Sequence, residues 1–312
     1  SVYAKQITAS DMTVGAVDDV TYNGKEQKQK PEVKDGAGTL VEGVDYDLVY
    51  SDDVTNAGNV TVTVVGKGNY AGSVNRSYAI KKAPLTVATS SASKAYDGTE
   101  LTAAGTINGF VNGETAAFAV TGTQTTVGSS KNWYTIDWNG TAKAANYSIA
   151  ETIGTLTVTE SENEVVVTTT GGEFTYDGQA HGATVEVTGL PTGYAAQASS
   201  EATATDVNGE GVTATANNLV IRNTNGEDVT ASLNVKRIDG AIKVVPAELT
   251  VVTPDASKTY DGSALTAAGT IAGFVNGEAA TLNTTGSQTE VGSSENAYAI
   301  AWDGTAKQGN YA

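Results

Sequence analysis

Few side chains in this sequence of 312 residues could do chemistry. There is one histidine, His181, and no cysteine, so neither a nucleophilic dyad nor a zinc set can be assembled. His181 lies in Gly178-Gln-Ala-His181-Gly182 and reads as a loop residue. Carboxylates remain. Three oxygen-rich runs invite comparison with Ca²⁺ sites, which use carboxylates, carbonyls and water. They are Asp206-Val-Asn208-Gly-Glu210, Asn225-Gly-Glu227-Asp228, and Asp45-Tyr-Asp47 with Asp52-Asp53. None has EF-hand spacing. Asp206, Asn208 and Glu210 make the best candidate for a structural Ca²⁺, and no other cofactor is expected. Lys94 and Lys258 are conceivable donors for an isopeptide cross-link to Asn, but their place beside a turn argues against the burial such a bond needs. Leu190-Pro191-Thr192-Gly193 lacks the residue between Pro and Thr that a sortase signal needs, and reads as a turn. Glycosidase acids are defined by spatial separation, but catalytic acids duplicated along with whole domains would be odd. The expectation is a protein that is not an enzyme.

Three triplets recur: Tyr96-Asp97-Gly98, Tyr176-Asp177-Gly178 and Tyr260-Asp261-Gly262. Their aspartates could be read as metal or sugar ligands. The simpler reading is a tight turn in which Asp bonds its own backbone, Gly takes positive φ and Tyr packs beneath. The first and third triplets belong to a longer duplication. Residues 94–147 return at 258–311 without a gap, with about two thirds of the positions identical. Such an internal repeat sets the architecture before any local reading does.

Comparing the copies separates scaffold from candidates for recognition. On a strand, Tyr134, Ile136 and Trp138 share one face, kept as Tyr298, Ile300 and Trp302 in the second copy. That face reads as core. The other face carries Trp133, Thr135 and Asp137 in one copy and three alanines, Ala297, Ala299 and Ala301, in the other. The copies also differ over 115–120, which includes Phe118. Exposed aromatic side chains stack on sugars or anchor protein partners. Trp133, Asp137 and Phe118 are therefore the candidate ligand-binding residues.

The positioning elements should be strands. Gly is abundant at 35 and Pro scarce at 5, and runs such as 60–65 (VTVTVV) alternate with period two. Tyr22-Asn23-Gly24 reads as a hairpin-type turn. Four units follow: 1–82, 83–160, a diverged member at 161–246, and 247–312, which lacks the segment matching 149–158. That segment is the expected last strand, so an incomplete sheet or open edge is expected there. In the diverged unit, Leu233, Val235, Gly240, Ile242 and Val244 fall at the spacing of Tyr147, Ile149, Gly154, Leu156 and Val158. The joins at 81–87 and 244–251 run strand into strand with no Gly/Ser tether. The expected fold is all-β, a tandem array of small Ig-like β-sandwich-type domains forming an elongated rod. The alternative is a β-grasp-like unit with one short helix near 112–118.

The net charge of −17 repels polyanions, so nucleic acid and anionic membranes are not expected partners. No apolar run reaches the length of a membrane span, and the first residues carry no signal-peptide pattern.

The pattern Lys-x-Tyr-Asp-Gly, Gly-Phe-Val-Asn-Gly-Glu, Thr-Gly-x-Gln-Thr-x-Val-Gly, Asn-Tyr and Gly-Thr-Leu-Thr-Val resembles the MBG-type repeats of large bacterial surface proteins. The match is strong over 83–158 and 247–312 and weaker over 161–246. Residues 1–82 resemble a companion repeat of the same proteins, through Gly43-x-Asp-Tyr-x-Leu-x-Tyr50 and Gly66-Lys-Gly-Asn-Tyr-x-Gly72. The resemblance implies an extracellular setting on a bacterial cell surface, with anchor and signal outside this sequence. It does not identify a ligand. Together with the array, the short joins and the acidity it points to an adhesin fragment, expected to be a monomer, whose tandem domains act as stalk. Its partner would be a host glycan or glycoprotein such as mucin. A receptor module for a host protein such as immunoglobulin, with binding confined to one domain, is the alternative.

Overall fold

The computed structural model describes Ser1–Ala312 and divides into two compact units, Ser1–Thr159 and Glu160–Ala312. Short strands account for nearly all its regular structure. The helical content is three single 3₁₀ turns, Ala144–Asn146, Thr230–Ser232 and Gln308–Asn310. No helix forms near 112–118, which removes the β-grasp-like alternative. Asn112 and Gly113 there take φ of +53° and +66°, and two successive left-handed residues end any helix that approaches them.

In the first unit, Gly58–Gly66 is the strand its alternation predicts: Val60, Val62 and Val64 are fully buried. It lies in a four-stranded sheet ordered Val20–Thr21, Ser73–Lys81, Gly58–Gly66, Tyr46–Tyr50. The outer pairing of Val20–Thr21 with Ser73–Lys81 is parallel. The residues flanking Tyr22-Asn23-Gly24 therefore do not pair with one another, and the expected hairpin is absent. Asn23 Oδ1 accepts the Lys25 N–H at 2.9 Å, which closes the turn without a partner strand.

Residues 83–159 build two three-stranded sheets and a separate antiparallel strand pair. One sheet is ordered Gly105–Asn108, Ala83–Thr89, Tyr147–Thr152, and the other Ala92–Ala95, Thr155–Thr159, Gly128–Lys131. Ala117–Val120 pairs with Tyr134–Asp137. Two parallel strand pairs thus run from one sheet into the other, with Gly154 at the crossing. A Cβ on Gly154 would lie 2.3 Å from the Ser90 carbonyl, so only glycine permits this approach. Past the crossing, Leu156 and Val158 point into the core. The same plan recurs in the second unit. Gly172–Thr175, Gly240–Val245 and Val212–Ala214 form one sheet, and Thr184–Thr188, Glu164–Thr170 and Asn234–Ile238 the other. Ile242 and Val244 occupy the places of Leu156 and Val158.

Residues 247–312 follow the plan only in part. Thr250–Val252 pairs with Thr270–Ala272, and Thr281–Thr284 with Tyr298–Ala301. Trp302 packs against a core, but Tyr298 is 50% exposed, which corrects the expectation that it is a core residue. Its counterpart Tyr134 donates its hydroxyl to Glu151, on a strand that has no equivalent beside Tyr298.

The buried strand ends set an expected outcome. Leu156→Ala, or Ile242→Ala, should destabilise its own unit by about 2–5 kcal/mol, as for other truncations of fully buried aliphatic side chains. The half-buried Leu249→Ala should cost clearly less. Urea denaturation of the three variants checks the order.

Candidate functional site

The Tyr-Asx-Gly turn occurs four times once Tyr22-Asn23-Gly24 is included. In each, the Asx Oδ1 accepts the backbone N–H two residues on, from Lys25, Thr99, Gln179 and Ser263, at 2.9–3.0 Å. The glycines have φ between +76° and +79°. Asp97 also accepts Lys94 Nζ at 2.9 Å and the Thr99 hydroxyl at 2.7 Å. Asp261 repeats this with Lys258 and Ser263. These contacts, the lysine first, hold both carboxyls well below the usual carboxylate range. Lys94 and Lys258 thus serve their own turns. His181 sits in a two-residue strand, His181–Gly182, rather than a loop. Its ring stacks on Phe174 at 4.2 Å and its Nε2 lies 2.9 Å from Asp177.

Within each compact unit one of these turns is seated in a socket. In the first unit, Tyr22 donates its hydroxyl to Glu114 Oε1 and Tyr147 donates to Oε2, both at 2.5 Å. The Tyr147 oxygen also accepts the Val111 N–H at 3.2 Å. The two rings meet edge to face, with centroids 5.8 Å apart, and Phe110 and Trp138 back Tyr147. The single 3₁₀ turn Ala144–Asn146 presents Asn146, whose amide accepts from Ala57 N and donates to Asn56 Oδ1, each at 2.9 Å. A Cβ on Gly24 would come within 2.5 Å of the Asn112 side chain, so this glycine is required by contact as well as by φ.

The second unit repeats the arrangement with equivalent residues. Tyr176 and Tyr311 donate to the two oxygens of Glu278 at 2.6 and 2.5 Å. Their rings cross edge to face at 5.5 Å, and Phe274 and Trp302 back Tyr311. Asn310 accepts from Val207 N and donates to Asp206 Oδ1. One continuous core runs through each joint: Tyr22, Val60, Ile80, Leu85 and Tyr147 in the first unit, Tyr176, Ile242, Val244 and Tyr311 in the second. Burial first, then the Glu114 carboxylate, pushes the Tyr147 phenol up to about 12. Tyr176 is pushed up to about 12 by its bond to Glu278 and then by burial. Tyr22 and Tyr311 are raised for the same two reasons, burial first.

The residues singled out from sequence fall in separate places. Asp206 lies in the second joint, bonded to Asn310 and to Lys307 Nζ at 2.8 Å, which lower its pKa, Lys307 first. Asn208 turns the other way, bonding the backbone of Ile242 and Val244, and Glu210 is exposed. These three do not converge, and no group of three or more His, Cys, Asp or Glu is placed to hold a metal ion. In the other oxygen-rich runs, Asp45, Asp53 and Asp228 accept backbone N–H groups of their own turns, and Asn223 does the same just before the second run. Trp133 is 56% exposed and shares its face with exposed Asp137. Phe118 is on the opposite, inner face, opposite Ile136 and 5.6 Å from the Tyr134 ring.

Sequence reasoning missed the joint. Glu114 and Tyr22 are 92 residues apart, and no local pattern links them. The usable signal was that Asn-Gly-Glu and Asn-Tyr recur together in both copies, with a Tyr-Asx-Gly turn in the segment before each.

Residues 85–157 match the family model of the MBG domain (YGX type). No curated protein matches the chain. Among solved structures, a protocadherin gammaB7 EC3-6 cis-dimer structure is similar at 12% identity, over 80% of this chain and 76% of that one. Its TM-score is 0.19, at which the likeness carries no argument. No helix is long and apolar enough to cross a membrane.

The joints predict two outcomes. Glu114→Ala leaves two buried phenols without an acceptor, at about 1–3 kcal/mol each, and should lower the urea midpoint of the first unit alone. Glu278→Ala should do the same to the second, and Glu114→Gln, which keeps one acceptor oxygen, should cost less. The pH dependence follows from the raised phenols. A tyrosine whose folded pKa lies above its unfolded value of about 10 contributes stability that is complete below pH 10. That stability is lost as pH rises towards about 12 for Tyr147 and Tyr176. Thermal melts between pH 9 and 12 should therefore fall more steeply for the native chain than for the Tyr22→Phe, Tyr176→Phe double variant.

Proposed function

We propose that this chain is a non-enzymatic fragment of a bacterial surface adhesin, in which small β domains joined in tandem act as stalk and display surface. Its domains are 1–82, 83–160, 161–246 and 247–312. The observation that carries the reading is the joint, built twice from the same residue types, the first time with Glu114 and Tyr147 inside the residues that match the MBG domain model. A module that used its signature residues for catalysis would present them to solvent. Here they are spent between neighbouring segments, where Tyr22, Tyr147, Tyr176 and Tyr311 are buried. The acidity supports an exposed setting and opposes nucleic acid. The setting is extracellular, at the cell surface, and the fragment acts as a monomer.

The display surface is the outer face of Tyr134–Asp137 and the residue before it. Trp133 and Asp137 offer a planar apolar ring beside a carboxylate, a combination suited to a sugar ring and its hydroxyls. The backbone there does not depend on the tryptophan. Thr121 and Gly122 N–H both bond the Trp133 carbonyl, and Thr285 and Gly286 make the same bonds to Ala297. The indole is therefore an addition to a fixed scaffold. This also favours a second reading, a host-protein receptor with binding confined to 83–160, because only that copy carries the tryptophan.

A glycan array together with a pull-down from mucin and serum separates the readings. Binding of a mucin-type glycan, weakened about tenfold or more by Trp133→Ala with folding intact, is the expected result. Capture of one serum protein by 83–160 alone would favour the receptor. Absence of any binding would leave the chain as a spacer and remove Trp133 as a contact.

A further inference from the structure

Six of the strand ladders are parallel, and each joins an early strand of a segment to a late one. In 1–82, residues 5–6 lie beside 70–71 and 20–21 beside 80–81. In 83–159 the pairs are 83–88 with 147–152 and 92–95 with 156–159. In 160–245 they are 164–168 with 234–238 and 172–175 with 242–245. The remaining ladders of these three segments are antiparallel.

This direction of pairing decides how a segment meets tension along the chain. Where the first and last strands are parallel, pulling the two ends apart slides one strand along the other, and all the ladder bonds share the load. Where they are antiparallel, the two ends lie side by side, and the bonds open one after another from that end. The longer parallel ladders also lie over the core. Leu85, Val87, Leu156 and Val158 are buried in one segment, and Val165, Val167, Ile242 and Val244 in the next. Their ladder bonds therefore stretch in a dry setting, where a hydrogen bond is stronger than at the surface. A further bond sits at each exit: the carbonyls of Lys81, Thr159 and Val245 accept the N–H of Tyr22, Tyr96 and Tyr176, each at 2.8 Å.

We propose that these segments have a mechanical function: each is a shear clamp that holds its fold against tension applied through the chain. Segments 83–159 and 160–245 are the strong members, and 1–82, whose parallel ladders are two residues long, is the weak one. The clamp acts on the rate of forced unfolding, because the ladder bonds must break together at the barrier. Strength then depends on the direction of load. One segment, at one equilibrium stability, resists when pulled between its own ends and yields when pulled where a ladder can peel. The proposal goes beyond the stalk reading. It rests on topology and on no ligand, so it stands or fails apart from the adhesin reading.

The test pulls one segment of the full chain in two directions by single-molecule force spectroscopy. The chain has no cysteine, so paired substitutions give unique handles. Lys82→Cys with Glu160→Cys loads the two parallel ladders of 83–159 lengthwise. Thr126→Cys with Glu160→Cys loads the end at which Gly128 faces Val158 and peels that antiparallel ladder. All three positions are exposed. At one pulling speed the first pair should need about twice the force of the second, or more. The length of chain released identifies each event, at about 270 Å for the first pair and about 120 Å for the second. Both variants should keep the urea midpoint of the native chain, so that only direction differs between them. Glu162→Cys or Glu210→Cys, each with Glu248→Cys, repeats the comparison in 160–245 and covers the case in which a handle disturbs the first segment. Equal forces in the two directions, or a lower force between the ends of the segment, overturn the proposal.

Discussion

A single carboxylate accepting two phenols fixes the way each half of this protein is put together. Glu114 and Glu278 each use both oxygens, one for a tyrosine of the preceding segment and one for a tyrosine of their own. A carboxylate brought into an apolar cluster is costly unless its lone pairs are taken up. The two hydroxyls meet that need together. Removing the carboxylate leaves two buried phenols without it, whereas removing one phenol frees an oxygen of a half-buried carboxylate. The members are thus coupled through the glutamate. Geometry follows from chemistry here: the crossing rings, the close glycine and the asparagine clamp all place two oxygens where two hydroxyls can reach them.

Size explains why such a joint exists. Segments of this length bury a modest share of their surface, and with no cysteine there is no disulfide to compensate. Sharing a core across the joint is the remaining route. Tyr22, Val60 and Ile80 from one segment and Leu85 and Tyr147 from the next lie in one cluster. The short connection helps, since Ser73–Lys81 passes into Ala83–Thr89 with one residue between. The stability of each segment is thereby tied to that of its neighbour, as in other repeat proteins.

The sequence made legible what local pattern encodes. The Val60, Val62, Val64 alternation, the Leu156 and Val158 strand end, and the exposed Trp133 face all follow from period two, and the spacing of Ile242 and Val244 anticipated a strand end buried like that of Leu156 and Val158. Two kinds of feature were not legible. The joint depends on residues far apart in the chain, and Tyr22-Asn23-Gly24 was hidden as its partner because Asn stands where the other turns have Asp. Burial, too, depends on neighbours: Tyr298 matches Tyr134 by sequence, yet it is exposed because no strand lies beside it. Pattern specifies which face a residue is on, whereas coverage is decided by what packs there.

The duplicated segments show how these constraints divide the surface. Gly24 and Gly178 are fixed twice over, by positive φ and by the asparagine pressed against them. Gly262 has the same φ with nothing within 4 Å, so only the turn constrains it. Trp133 and Ala297 stand at the other extreme, on matching backbone held by identical carbonyl contacts. The fold accepts either side chain there because no packing depends on it. A surface position that the scaffold holds still but leaves unconstrained in size is where binding specificity can change without cost to folding. The joint, by contrast, couples every one of its residues to stability, which is why both copies keep it.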